Sequence, residues 1–377
     1  MKLLKQFIQQ ATVLTAAAVL AVASAFFVPP DAQYLGYIDL RTLAILFSLM
    51  TVMAGLRRQG FFDRLGRALL SRTHSTFQLT LVLVGLCFFG SMFITNDVSL
   101  LTFVPFTFVV LSRLGADVRR SLLVPVVCMQ TIAANLGSML TPIGNPQNLY
   151  LYGKSGMSIG GFVLLMLPYT LVSLLLLLAW AAMVCRKASA ALSVDELVSS
   201  SASQGDQKII LLYLVLFAVC LLSVIRVLPY GIAFAAVLVC VLFADPHTLR
   251  AVDYSLLLTF VAFFIFIGNL GRIPAFSGWL QEFLTGREVL VAVLASQVTS
   301  NVPAALLLSG FTAETQALII GTNLGGLGTL IASMASLISY RQIARELPQG
   351  KKQYFGLFTL SNLIFLAILL GVWFLLR

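Results

Sequence analysis

The chain has 377 residues, of which 59% are hydrophobic and only 10% charged, with a net charge of +10 and a mean hydropathy of +0.99. A water-soluble domain needs charge at roughly a quarter of its positions, so these values exclude a soluble globular fold and leave room for many membrane spans of about 20 residues each. The basic residues sit in short loops between apolar runs, where the positive-inside rule accounts for them and no nucleic acid need be invoked as a partner.

Lys2 and Lys5 precede an apolar stretch over 11–28 with Ala23-Ser24-Ala25 near its end. The pattern resembles a cleavable signal peptide. Ahead of so many later spans it is read as a retained first helix with a cytoplasmic N-terminus. Ile38-Asp39 opens the next helix, which ends near Gly55, Arg58 and Gly60. The loop 57–74 carries Arg57, Arg58, Arg64, Arg67 and Arg72, and the following basic cluster is Arg113, Arg119 and Arg120. Between them the only charge is Asp97. Both flanks are therefore cytoplasmic, and the segment 77–111 must return to the side it left. It reads as a re-entrant helical hairpin whose tip is Thr95-Asn96-Asp97, tolerated at membrane depth where it lines a cavity or is buried in protein. Residues 121–152 cross outward as a broken helix, and 159–184 return to Arg186 and Lys187. The Ser- and Ala-rich stretch 187–208 reads as a cytoplasmic linker between an N-terminal repeat (1–186) and a C-terminal repeat (209–377). In the second repeat, 209–225 goes out and 231–243 returns. Val252-Asp253 opens an outward span, and 271–288 is external. A second hairpin enters from outside over 289–311, a second broken helix crosses inward over 315–338, and 354–376 crosses out. This map leaves only Arg41, Lys154, Arg226, Arg272, Arg287 and Arg377 of the Lys and Arg residues outside.

The two halves repeat each other. Val252-Asp253, with Asn269, Arg272 and Pro274, parallels Ile38-Asp39 with Gly55, Arg58 and Gly60. Ser300-Asn301-Val302 parallels Thr95-Asn96-Asp97, and Asn323-Leu324-Gly325 through Thr329 aligns with Asn135-Leu136-Gly137 through Thr141. Asn145 and Asn148 fall against Ser333 and Ser336. Because one hairpin enters from each side, the repeat is inverted. The expected fold class is an all-α polytopic membrane protein of two inverted-topology repeats, each with a re-entrant hairpin and a broken transmembrane helix. Such repeats place a solute site near the bilayer midplane.

The candidate site lies at the four polar breaks within apolar segments. Its residues are Thr95, Asn96, Asp97, Asn135, Gly137, Ser138, Thr141 and Asn145 from the first half. Thr299, Ser300, Asn301, Asn323, Gly325, Gly326 and Thr329 come from the second. Glycine lets backbone unwind near a ligand, and Pro142, Pro146 and Pro303 interrupt the helix ladder. Unwound carbonyls suit a cation, and helix N-termini suit an anion. Asp97 is a carboxylate at membrane depth, which is functional by default. It suits H⁺ or Na⁺, the latter with Asn96 and Asn301, and it also suits a helix N-cap. The glycines equally suit close helix packing, and 145–148 equally suits a helix-end turn. Arg226 and Arg272 read as interface anchors. Cys87, Cys128, Cys185, Cys220 and Cys240 read as small buried hydrophobes, and His74 and His247 fall in loops, so no metal cofactor is expected. No nucleotide motif or catalytic dyad marks an enzyme, and an ion gradient must supply the energy.

The segments 94–98, 137–148 and 296–303 resemble the ion-transporter superfamily of citrate-transporter-like permeases, arsenite permeases, sodium/proton antiporters and divalent-anion symporters. Within it they are most similar to the YbiR-like inner-membrane permeases of bacteria. In the divalent-anion symporters each tip carries Ser-Asn-Thr for Na⁺ and carboxylate; here Asn96 and Asn301 keep the asparagine, while Asp97 and Val302 depart. The resemblance implies elevator-like motion, commonly in a homodimer, in a bacterial cytoplasmic membrane. The expected function is ion-coupled secondary transport of a small, carboxylate-like anion. Arsenite efflux or Na⁺/H⁺ exchange is the alternative, and a non-transporting membrane receptor is a third class.

Overall fold

The structure is a computed structural model that describes residues 12–71, 73–186 and 205–377. Among them the secondary structure is helical, and six helices are long and apolar enough to cross a membrane. The chain is a multi-pass α-helical membrane protein.

The first half opens with α1 (Thr12–Ala25), the short α2 (Gln33–Tyr37) and α3 (Leu40–Arg58). Asp39 starts α3 as an N-cap, its carboxylate accepting from the Thr42 N–H at 3.0 Å and the Thr42 hydroxyl at 2.6 Å. Gly60, in the left-handed region at φ 65°, turns the chain into α4 (Phe61–Leu70). Residues 57–74, expected as a loop, therefore contain a helix. Phe62, Gly66 and Leu70 recur on its buried face, the spacing of a helix lying against a bundle. The hairpin follows as α5 (Thr76–Gly90) and α6 (Asn96–Leu111), then the broken helix α7 (Ala116–Ser138) and α8 (Pro146–Ser155), then α9 (Ile159–Arg186).

The linker expected over 187–208 lies mostly outside the described residues, but its end is corrected. Asp206 caps α10 (Gln207–Val224) by accepting from the Lys208 N–H, so Gln207 and Lys208 belong to the helix. Next come α11 (Tyr230–Ala244), a 3-10 turn (Pro246–Ala251) and α12 (Tyr254–Gly271), which Asp253 caps through the Leu256 N–H at 3.1 Å. The stretch 271–288 also holds a helix, α13 (Pro274–Leu284), with proline at its first position where no donor is lost. The second hairpin is α14 (Glu288–Thr299) and α15 (Asn301–Leu308), and the second broken helix is α16 (Thr315–Leu324) and α17 (Met334–Glu346). The long α18 (Lys351–Leu376) ends the chain.

Each hairpin packs its first arm on its own broken helix, α5 on α7 and α14 on α16. Its second arm packs on the far part of the other half's broken helix, α6 on α17 and α15 on α8. Two further contacts obey the same exchange, α1 lying along α12 and α11 along α3. So do two ion pairs that link the halves, Arg58–Asp245 at 3.2 Å and Arg272–Asp31 at 2.8 Å. Arg58 and Arg272 thus anchor the two halves to each other. Arg226 instead reaches the Tyr152 carbonyl at 3.0 Å and lies over the Tyr152 ring. Cys87, Cys128, Cys185 and Cys220 are buried, and Cys240 is half-buried.

Candidate functional site

The two hairpin tips and the two helix breaks meet at the centre of the bundle. The Asn96 N–H donates to the Gly144 carbonyl at 3.1 Å, which joins the first tip to the first break. The Asn301 N–H donates to the Ala332 carbonyl at 3.0 Å and does the same in the second half. Thr141 ties its break to the Met92 carbonyl at 2.5 Å, and Thr329 ties its own to the Gln297 carbonyl at 3.2 Å. Four helices, α6, α8, α15 and α17, begin at this junction.

A buried amide and hydroxyl network crosses between the halves. Asn135 accepts from the Ser333 hydroxyl at 3.0 Å and donates to Ser336 Oγ at 3.3 Å. Asn323 accepts from Asn145 Nδ2 at 3.3 Å and donates to Asn148 Oδ1 at 2.6 Å. Exchanging the aligned positions of the two halves turns one set of partners into the other. Asn96 adds a bond from Nδ2 to Asn135 Oδ1 at 3.0 Å. These groups are buried in a region of low dielectric, where an unpaired amide is costly.

Most of the expected site residues come together here: Thr95, Asn96, Asp97, Asn135, Thr141, Asn145, Ser300, Asn301, Asn323 and Thr329. Ser138 is buried but spends its hydroxyl on the Asn135 carbonyl, finishing α7. Thr299 is exposed and bonds back to the Ala295 carbonyl, so it stands outside the network. The glycines serve approach: a Cβ on Gly137 would lie 2.0 Å from the Phe88 carbonyl oxygen. One on Gly325 would lie 2.6 Å from Ser296 Oγ, and one on Gly326 3.0 Å from Asn301 Nδ2.

Two adjoining cavities, of about 310 and 140 Å³, open beside the first tip and share Asp97, Leu101, Asp253 and Leu256 in their walls. The larger reaches Val302 and Pro303 of the second tip and ends at Arg341. The smaller runs past Thr95 and Asn145 to Arg57. Among the described residues the Asp97 carboxylate has no ion-pair partner, and Asn145 Oδ1 is buried without a donor. Asp97 also stands in the first turn of α6, as a dipole-favoured acidic residue would, while Thr95 is the N-cap.

The second tip is built differently. Ser300 has φ 78° and ψ 155°, a conformation costly for a residue with a Cβ. Gln297, at the position of Met92, fills the second break: its Nε2 donates to the Gly325 and Leu327 carbonyls at 3.0 and 2.9 Å, and its Oε1 accepts from the Thr329 N–H at 2.9 Å. Gln297, Ser333, Ser336 and Asn148 were not among the expected site residues. The alignment of 145 and 148 with 333 and 336 was the available signal for the last three. A lone glutamine in an apolar helix was the signal for the first.

A helical membrane bundle whose helices break around a buried polar centre defines the chain as a transporter of small solutes. It belongs to the citrate transporter family, which its sequence matches over residues 7–319. It is similar to the inner membrane protein YbiR of Escherichia coli (strain K12), 32% identical over 327 residues, covering 85% of this chain and 84% of that protein. An uncharacterized transporter of Methanocaldococcus jannaschii is 30% identical over 304 residues, 81% of either chain. A silicon efflux transporter of Oryza sativa subsp. japonica is 31% identical over a shorter stretch of 137 residues, 36% of this chain and 27% of that protein.

Proposed function

We propose that the chain is a secondary active transporter that moves a small, carboxylate-like anion and couples it to H⁺ or Na⁺. The observation that carries this reading is the exchange-related network of Asn135 with Ser333 and Ser336, and of Asn323 with Asn145 and Asn148, set where four helices begin. Helix N-termini present positive partial charge and N–H groups to an anion. Asp97, beside that junction and facing the cavities, carries the coupling ion. The two halves, 1–186 and from Gln207 onward, are inverted repeats joined by a cytoplasmic linker. Arg57 and Arg341, which the positive-inside rule assigns to the cytoplasm, line the cavities, which supports an inward-facing conformation. Alternating access is a rigid displacement of the hairpins and broken helices against the remaining helices, in a homodimer of the cytoplasmic membrane.

A second reading, efflux of an arsenite-like solute or Na⁺/H⁺ exchange, draws on one specific observation. Asp97 and Asp253 both face the cavities, a wall better suited to cations or neutral hydroxides than to a free anion. Purified protein in liposomes on a solid-supported membrane separates the two. Citrate, succinate, sulfate and arsenite are jumped in turn, with and without Na⁺ and across pH. A current that needs one anion, and that loses its ion dependence in Asp97→Asn, supports the first reading. A current evoked by Na⁺ or pH alone overturns it in favour of exchange.

A further inference from the structure

We infer that a sodium ion is held between Asp97 and Asp253, with Asn145 as a neutral ligand, so that a helix outside the hairpins completes the ion site. The inference rests on the ion-coupled reading above and adds to it a carboxylate that neither tip supplies.

Three observations lead to it. The first is placement: Asp253, at the start of α12, and Asp97, at the start of α6, line both cavities together. The second is the oxygen left over at each helix cap. Asp39 uses both carboxylate oxygens on Thr42, one for the backbone N–H and one for the hydroxyl. The matching position in the second half is Leu256, so Asp253 caps α12 with Oδ1 alone and keeps Oδ2 for the cavity. Exchange of the halves turns the pair Asp97 and Asp253 into Val302 and Asp39. The tip that has a carboxylate thus meets the capping aspartate with an oxygen to spare, and the tip without one is matched to the aspartate that is already satisfied. The third is Asn145, only 2% exposed, whose amide oxygen finds no donor although the residue lines the same cavity as both aspartates.

The remaining charged groups lining the cavities are Arg57 and Arg341. No ion pair forms among these four residues within the described chain. Two carboxylates and an amide oxygen are hard donors of the kind that hold hard cations, and a cation there offsets the repulsion between the aspartates. Because Asp97 belongs to the hairpin and Asp253 to α12, displacement of the hairpin separates the ligands and releases the ion.

Titration of purified full-length protein with radioactive sodium tests the site directly. Wild type is expected to bind Na⁺ saturably. Asp253→Asn keeps the helix cap, since asparagine caps as well as aspartate, and removes only the charge. It should weaken Na⁺ binding about tenfold or more, as should Asp97→Asn. Absence of saturable Na⁺ binding in wild type, or wild-type affinity in Asp253→Asn, overturns the inference. Should Asp253→Asn fail to give monodisperse protein, Leu256→Thr decides. It supplies the hydroxyl that occupies the matching oxygen of Asp39, and a weaker Na⁺ affinity supports the site while an unchanged one overturns it. In liposomes the two readings part: the solute-evoked current of wild type should depend on Na⁺, and Asp253→Asn should lose that dependence. A wild type that binds Na⁺ but gives no solute current would strike the transport reading and leave the ion site standing.

Discussion

The two hairpin tips follow one plan and differ in everything that makes a tip work. At the first, Thr95 has ordinary backbone angles, Asp97 faces open volume, and Leu46, Met50 and Ile338 line that volume. At the second, Ser300 is strained, Val302 replaces the carboxylate, and Gln297 fills the break. The residues matching Leu46, Met50 and Ile338 are Phe260, Phe264 and Tyr150, whose rings pack with centroids 5.6 to 6.4 Å apart. The polar network between the tips is nearly symmetric, while the walls around it are not. The aligned positions supply one shared frame, and the residues at the walls around it differ.

Moving the carboxylate tests this asymmetry most severely. Asp97→Val is expected to reduce ion-coupled current in liposomes to background, and adding Val302→Asp should not restore it, because Asp39, the counterpart of Asp253, already spends both oxygens on Thr42. Restoration would mean that the tips are interchangeable. The network should answer equally from both halves. Asn135→Ala strips bonds from Ser333, Ser336 and Asn96, and Asn323→Ala strips them from Asn145, Asn148 and the Ile319 carbonyl, a loss of about 1–3 kcal/mol per unsatisfied group. Similar falls in melting temperature in detergent are expected, and a large inequality would break the two-fold relation. The glycines should respond unequally. Gly137→Ala drives a methyl into the Phe88 backbone carbonyl and should destabilise by about 1–3 kcal/mol. Gly326→Ala should cost less, because its nearest contacts are longer, the Asn301 amide at 3.0 Å and the Asn323 carbonyl at 3.3 Å. The smallest effect is opposite in sign at the two tips. Ser300→Gly relieves a positive φ and should stabilise by about 1 kcal/mol, whereas Thr95→Gly loses a cap and should destabilise by a few tenths. Thermal denaturation of the four proteins checks both pairs.

Much of this was legible in the sequence. Asp39 and Asp253 marked the starts of α3 and α12, and the polar residues at 95–97 and 300–301 marked both tips. The Asn-Leu-Gly segments marked both breaks. The short helices α4 and α13 were not legible, because Arg64 and Arg67 in one, and the near-neutral surroundings of the other, read as loop. Nor was the pairing of Asn135 with Ser333 and Ser336. Spacing along one chain reports local neighbours, while these bonds join residues from opposite halves. Asp253 was read only as a helix opener. Its spare oxygen depends on Leu256 standing where Thr42 stands in the first half, which matters only once the caps are compared in three dimensions.

The crossing of α1 onto α12 and of α11 onto α3 has a consequence for how the molecule is made. When the N-terminal half leaves the ribosome and enters the bilayer, α1 has no α12 to lie against, and the groove on α3 waits for α11. Domains are usually completed in the order of synthesis, but here neither half can close alone. The early helices must be shielded by lipid or by the insertion machinery until the second half arrives. A truncated first half should therefore be degraded in cells, and two half-chains made together should rescue each other.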